Sequence, residues 1–313
     1  MKRFAVMLLT LCLALTACAG PTQAPESRTA VTFTDDLGRS VTVQSHERVA
    51  ALLGSFAQIW MLAGGDVAAT AEDAWEDLEL ELPAETVNLG STKSLSLEKL
   101  LEVQPDFIIA STNTRQDLEW KETLEAAGVP VAYFDVADFD AYLRVLGIFT
   151  DITGRKDLYE ENGLQVQTRM EAVLAKSRDR LSRKEAPRVL CIVASASSIR
   201  AKSSKNNVLG EMLCSLGCVN IADSEKTLLE NLSMEYILQE DPDAIFFVQR
   251  GADTDGAREN IARELESSPL WGQLTAVKEG RVFVMDRMLY NFKPNHRWGE
   301  AYEQLEEILS NVT

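Results

Sequence analysis

Histidine is the scarcest ionisable residue in this 313-residue chain, which has only His46 and His296. Sites for bare zinc or manganese draw on several histidine and carboxylate ligands, so a centre of that kind lacks its raw material here. Cysteine is nearly as sparse, with Cys12 and Cys18 near the N-terminus and Cys191, Cys214 and Cys218 in the body. An odd number of body cysteines argues against a disulfide framework, and Cys214 and Cys218 at an apolar helix end read as small buried thiols. Common catalytic signatures are missing too: there is no G-x-S-x-G elbow, G-x-x-x-x-G-K-[ST] loop, G-x-G-x-x-G fingerprint or H-E-x-x-H pair. The serines from Ser195 to Ser198 have no histidine beside them. The expectation is therefore a protein that is not an enzyme. Basic charge is also short, 31 Lys and Arg against 48 Asp and Glu for a formal net charge of -17. Nucleic acid and anionic lipid surfaces would repel such a chain. Beyond Leu15 no stretch is apolar enough to cross a bilayer.

What is present begins with a leader. Lys2 and Arg3 precede an apolar stretch from Phe4 to Leu15, too short to span a membrane, and Leu15-Thr16-Ala17-Cys18 follows. Residues 1–17 read as a signal peptide, and the cleavage region resembles the bacterial lipobox. That resemblance implies cleavage before Cys18, a lipid on its thiol and anchorage on the extracytoplasmic face of the cell membrane. Residues 18–30, polar and proline-containing, read as a flexible tether.

One segment occurs twice. Leu95-Ser96-Leu97-Glu98-Lys99-Leu100-Leu101 leads to Pro105-Asp106-Phe107-Ile108-Ile109, and Leu232-Ser233-Met234-Glu235-Tyr236-Ile237-Leu238 leads to Pro242-Asp243-Ala244-Ile245-Phe246. Each copy predicts a serine-capped helix with a glutamate in its first turn, stopped by proline before a buried strand. Strands and helices alternate on both sides of the middle of the chain, which requires crossovers and parallel sheets. From about Arg155 to Lys184 the sequence has no Pro, one Gly and apolar residues at helical spacing, including Val166, Met170, Val173 and Leu181. A single helix of that length would reach about 45 Å. The predicted fold is α/β: two doubly wound lobes, residues 31–152 and 187–313, joined by one long helix over residues 153–186. At 46% hydrophobic residues, each lobe can bury a core.

Further phrases carry a family resemblance. Leu209-Gly210-Glu211-Met212-Leu213 leads to Leu216-Gly217-Cys218-Val219-Asn220-Ile221-Ala222, and Ser268-Pro269-Leu270-Trp271 leads to Ala276-Val277-Lys278-Glu279-Gly280-Arg281-Val282-Phe283. With the twin segments and the long helix, residues 32–310 resemble the periplasmic-binding proteins of ABC importers for iron-siderophore, haem and cobalamin, the class III or cluster A fold. The resemblance implies a monomeric solute-binding lipoprotein that passes a metal chelate to a permease dimer driven by an ATPase, with no resident cofactor. A ferric siderophore is the first expectation for the cargo, with haem and a corrinoid as alternatives. It also implies that Glu98 and Glu235, one per lobe, dock into permease arginines. Two carboxylates on equivalent helix starts suit a paired basic receptor, although each also complements its own helix dipole.

In open α/β sheets ligands lie beyond the carboxyl ends of the strands. Lys93, Arg115, Arg200, Lys202, Arg250 and Arg297 fall at such positions, where cationic groups would suit carboxylate, catecholate or hydroxamate oxygens. The resemblance places an anion-binding arginine in the loop of Arg115. Phe56, Trp75 and Tyr290 are candidates for stacking on a flat ligand. His296 stands in the loop Asn291-Phe292-Lys293-Pro294-Asn295-His296-Arg297 and, like Tyr290 or Met288, could serve as an axial ligand to haem iron. Trp60, Trp120, Trp271 and Trp298 read as packing residues.

Overall fold

A computed structural model describes residues 30–205, 207–224, 228–229, 232–251 and 253–312. The leader, the lipidation candidate Cys18 and nearly all of the tether lie outside the described residues. Among those described, no helix is long and apolar enough to cross a membrane.

Two parallel sheets organise the chain. The first contains β3 (Val49–Ala51), β4 (Val67–Thr70), β5 (Val87–Asn88), β6 (Phe107–Ser111) and β7 (Val131–Phe134), in the spatial order β5-β4-β3-β6-β7. The second contains β8 (Arg188–Ala194), β9 (Ile199–Lys202), β10 (Val219–Asn220), β11 (Ala244–Gln249) and β12 (Val282–Met285), in the order β10-β8-β11-β12. In it, β9 returns antiparallel along β8, pairing Val193 with Arg200 and Cys191 with Lys202. The central strands are apolar on both faces because helices cover both sides; Val49, Ile108, Ile109, Leu190, Ile192 and Phe246 are fully buried. A hairpin of β1 (Val31–Thr34) and β2 (Ser40–Val43) precedes the first sheet. Asp35 holds its turn by accepting from the backbone N–H groups of Leu37 and Arg39 and joins it to β7 by accepting from Tyr133 N.

The twin segments share the same cap, turn and strand contacts. Ser96 Oγ accepts from Lys99 N at 3.2 Å and Ser233 Oγ from Tyr236 N at 3.3 Å, capping helices Leu97–Glu102 and Met234–Glu240. Gln104 and Asp241, each just before the proline, both sit at positive φ, 52° and 38°. The aspartate after the proline ties each turn to the first strand of its own sheet. Asp106 donates N–H to Arg48 O at 3.0 Å and accepts from Arg48 N at 3.0 Å; Asp243 does the same with Arg188 at 2.8 and 2.7 Å. The repetition is therefore one structural device used in each lobe.

Between the lobes the chain is helical without a gap through Lys156–Tyr159, a π-helical stretch Glu160–Leu164 and Gln165–Leu181. Its first part is tied to lobe one, where Asn162 Nδ2 donates to Leu62 O at 2.9 Å and Asn162 O accepts from Tyr142 Oη at 2.8 Å. Its last part is tied to lobe two: Ser177 Oγ donates to Leu216 O at 2.7 Å, and the buried Arg180 guanidinium pairs with Glu306 at 3.1 and 3.2 Å. Glu306 belongs to the last helix, Trp298–Ser310, which packs along the linking helix. Lobe one has an aromatic nucleus in which Trp60, Phe107, Phe134 and Phe149 meet edge to face at centroid distances of 5.3–6.0 Å. Each such side chain contributes about 1.5–3 kcal/mol by burial, and each favourable ring pair about 0.5–1.5 kcal/mol more.

Candidate functional site

A cavity of about 440 Å³ opens between the lobes. Lobe one contributes Asn113 from the loop after β6 and Asp135 from the loop after β7, and lobe two contributes Lys202 on β9, Arg250 just past β11, and Tyr290 and Lys293 from the segment beyond β12. The site thus lies largely at the carboxyl ends of strands, where peptide dipoles and loops converge.

The lobe-one wall is held from below. Asp117, fully buried in the helix Arg115–Glu119, accepts from Ser111 N at 2.7 Å; Ser111 Oγ in turn accepts from Asn113 N at 3.0 Å. Asn113 Nδ2 then donates to Asp135 Oδ1 at 2.8 Å, joining the two loops at the cavity edge. The second carboxylate oxygen of Asp117 is buried with no hydrogen-bond partner. Burial therefore pushes the Asp117 carboxyl up to about 7, against the opposing pull of the Ser111 N–H.

The lobe-two wall reaches across the cleft. Arg287 Nη1 lies 3.4 Å from Asp77 Oδ1 of lobe one and donates to Gly251 O at 3.1 Å. Asp77 owes its place to a tight approach: a Cβ on Gly54 would come within 2.7 Å of the Ala74 backbone, so only glycine lets the helix Asp73–Glu76 sit this close. Asn295, buried and at φ 49°, donates to Gln58 Oε1 of lobe one at 2.6 Å. Between these two contacts, Lys293 Nζ lies 5.8 Å from the centre of the buried Phe56 ring.

Of the residues singled out in the sequence, Lys202, Arg250 and Tyr290 line this cavity. Tyr290 is fully buried and its hydroxyl donates to Ala301 O at 2.9 Å, so it forms a wall without offering a free oxygen. The others sit elsewhere. Arg115 is exposed and paired with Glu119 at 2.7 Å, and Arg297 is held by both carboxylate oxygens of Glu300 at 2.7 and 2.8 Å. Lys93 and Arg200 are exposed and outside the lining. Arg200 lies on β9, where the sequence suggested only a loop; it shares the Lys202 face but stands nearer the hairpin end. Phe56 is fully buried beneath Lys293, and Trp75 is half-buried on the helix Asp73–Glu76; neither lines the cavity. His296 packs beside the lobe-one contact of Asn295 with its Nδ1 buried and unpartnered, and burial and then the neighbouring Arg297 lower its pKa. Lys293, Asp135, Asn207 and Glu211 also line the cavity and were not singled out. Lys293 stands in the loop 291–297 named from the sequence, and Asn113 two residues before Arg115.

The cations of the lining differ from Arg115 and Arg297 in being uncommitted. Among the described residues, the side chains of Lys202, Arg250 and Lys293 have neither hydrogen bond nor ion pair, whereas Arg39, Arg115, Arg180, Arg287 and Arg297 each have an acidic partner.

Comparison with known proteins gives a match to the model of a family described as periplasmic binding protein, over residues 49–289. The Fe(3+)-citrate-binding protein YfmC of Bacillus subtilis (strain 168) is 25% identical over 299 residues, covering 91% of this chain and 90% of that protein. Among solved structures, the siderophore-binding protein BauB, bound to ferric iron and two molecules of acinetobactin, superposes with a TM-score of 0.70 at 16% identity, covering 90% of this chain and 98% of that one. S. aureus IsdE complexed with haem gives a TM-score of 0.66 at 14% identity, covering 84% and 98%. At such identities the two structures share the fold.

Proposed function

The chain belongs to the periplasmic binding protein family, and on that premise we propose that it captures a ferric-siderophore-type iron chelate between its lobes and delivers it to an ABC importer. The carrying observation is the trio of uncommitted cations, Lys202, Arg250 and Lys293, facing one cavity of about 440 Å³ in a chain of net charge -17. Cations that have no protein partner meet the oxygen donors of an anionic chelate without first breaking an ion pair. The relative that binds ferric citrate supports starting from a small carboxylate chelate. Haem would need an axial ligand. Tyr290 is the one sequence candidate for that role on the cavity wall; its hydroxyl is already donated, and burial raises its pKa well above the ordinary phenol value. No chemistry on the cargo is required, and the protein acts as a binder rather than an enzyme.

Titration calorimetry with ferric citrate, a ferric catecholate, a ferric hydroxamate, haem and cobalamin tests this reading. Saturable binding of one anionic ferric chelate in preference to haem and cobalamin is the expected result. Saturation by haem or cobalamin alone would replace it with the alternative cargo, and recovery of a chemically altered chelate would restore an enzyme.

The same reading assigns residues 1–17 to a leader, Cys18 to a lipid anchor and residues 18–30 to a tether, with the lobes at 31–152 and 187–313 and the linker at 153–186. The lipobox-like Leu15-Thr16-Ala17-Cys18 supports anchorage on the extracytoplasmic face. Glu98 and Glu235 are the docking pair for a permease dimer. Both are exposed in the first turn of matching capped helices, and Ser233 Oγ donates to Glu235 at 3.0 Å. Replacing both by alanine is expected to abolish uptake by intact cells while leaving cargo affinity unchanged; normal uptake would remove the assignment.

A further inference from the structure

Lys293 differs from the other two cavity cations in where its chain comes from and what surrounds it. It rides on the lobe-two segment that spans the cleft, between Arg287, which meets Asp77, and Asn295, which meets Gln58. Its ammonium lies over the Phe56 ring of lobe one at 5.8 Å. An aromatic face gives a lysine cation a weak, non-directional partner and cannot replace the water or carboxylate that normally accepts its three protons. Asp135 acts on Lys293 electrostatically without forming an ion pair, and burial, the larger effect, lowers the lysine pKa. Other charged groups on the cavity wall are Lys202 and Arg250, of the same sign, and Glu211. Lys293 is thus half-buried, without a counter-ion, and touches both lobes.

An uncompensated cation in such a place costs stability in the empty protein. The cost has a use if the missing negative charge arrives with the cargo. Resting on the cargo reading above, we propose that Lys293 is the specificity-determining residue of the cleft: it selects chelates that carry net negative charge over neutral chelates of similar size. A neutral chelate would leave the ammonium unpaired in a closed cleft. An anionic one supplies the partner that Asp135 does not, and does so at the point where lobe two reaches lobe one.

The test compares wild type, Lys293→Met and Lys293→Arg against ferric citrate, an anion, and a neutral ferric trihydroxamate. Lys293→Met is expected to weaken ferric citrate by about 30-fold or more while leaving the neutral chelate unchanged or improved. Lys293→Arg should restore most of the anion affinity. Without ligand, Lys293→Met should melt no lower than wild type, because it removes an unpaired charge and keeps the side-chain volume. Equal losses for both chelates, or a clear fall in melting temperature of the empty protein, would assign Lys293 to packing and overturn the inference. Should wild type take haem alone, the cargo reading fails separately, and the same variant is scored on haem through its anionic propionates; an unchanged haem affinity would overturn the role of Lys293 as well.

Discussion

Replacing Lys202 by methionine and Arg250 by glutamine together is expected to weaken binding of an anionic ferric chelate by about 1,000-fold. The magnitude follows from about 2 kcal/mol for each of the two charge contacts removed. Neither side chain has a hydrogen bond or ion pair among the described residues, so their loss leaves no orphaned acid and the fold should be unaffected. Arg115→Gln provides the contrast. That side chain is 92% exposed and already engaged by Glu119, so its replacement should leave affinity unchanged. Calorimetric titration of both variants checks the pair of statements together. If Arg115→Gln were the damaging change and the double variant harmless, the site would lie beside the exposed start of the helix Arg115–Glu119 and outside the cavity described here.

The second large effect concerns pH. Asp117 titrates at about 7 in the folded chain because it is buried, whereas an unfolded aspartate titrates near 4. Between those values the folded protein holds a proton that the unfolded chain has released, so stability falls as pH rises from about 4 to about 7 and levels off above. At about 1.4 kcal/mol for each unit of separation, Asp117 alone accounts for about 4 kcal/mol across that window. Asp117→Asn can still accept from Ser111 N and has no proton to lose. Denaturant unfolding of wild type and Asp117→Asn from pH 4 to 8 should therefore give curves whose difference grows with pH in favour of the variant, then stays constant. Asp73, raised by its own burial, slopes the same way in both proteins and cancels in the difference. His296, lowered by burial, slopes the opposite way and cancels likewise. Parallel curves across the whole range would show that Asp117 stays charged in the folded state. Because Asp117 holds the backbone of Ser111, and Ser111 that of Asn113, the same carboxyl also supports one wall of the cleft.

Most of the architecture could be read from local patterns. Proline after a capped helix, aspartate after the proline and an apolar run after that appear twice because one hydrogen-bond arrangement, Asp106 with Arg48 and Asp243 with Arg188, closes both lobes. Helical periodicity beyond Arg155 located the linking helix but carried no sign of the π-helical stretch Glu160–Leu164, since one extra residue in a turn barely disturbs an apolar stripe. Strand β9 was hidden: Ile199-Arg200-Ala201-Lys202 is four residues long, flanked by serines, and gains its identity only by pairing with β8.

The cleft was legible in part for a similar reason. The rule that ligands meet strand ends brought attention to Arg250, to Lys202 and to the loop that holds Tyr290 and Lys293, because it depends on topology, which the alternation of elements reveals. Which cations remain available depends on their neighbours. Arg115 has Glu119 four residues on and Arg297 has Glu300 three residues on, spacings at which helical side chains meet. Those acids were visible in the sequence and could have marked both arginines as already engaged. Nothing in the sequence distinguishes Lys293 from an ordinary loop lysine, because its surroundings, Phe56 and Asp135, come from the other lobe.

Anomalous diffraction at the iron edge, from crystals grown with the ferric chelate that titrates, locates the cargo's metal in the molecule. The iron is expected inside the cleft, with Asn113 and Asp135 on one side of the chelate and Lys202, Arg250 and Lys293 on the other. A bound chelate whose iron lies on the outer surface of either lobe would contradict capture between them.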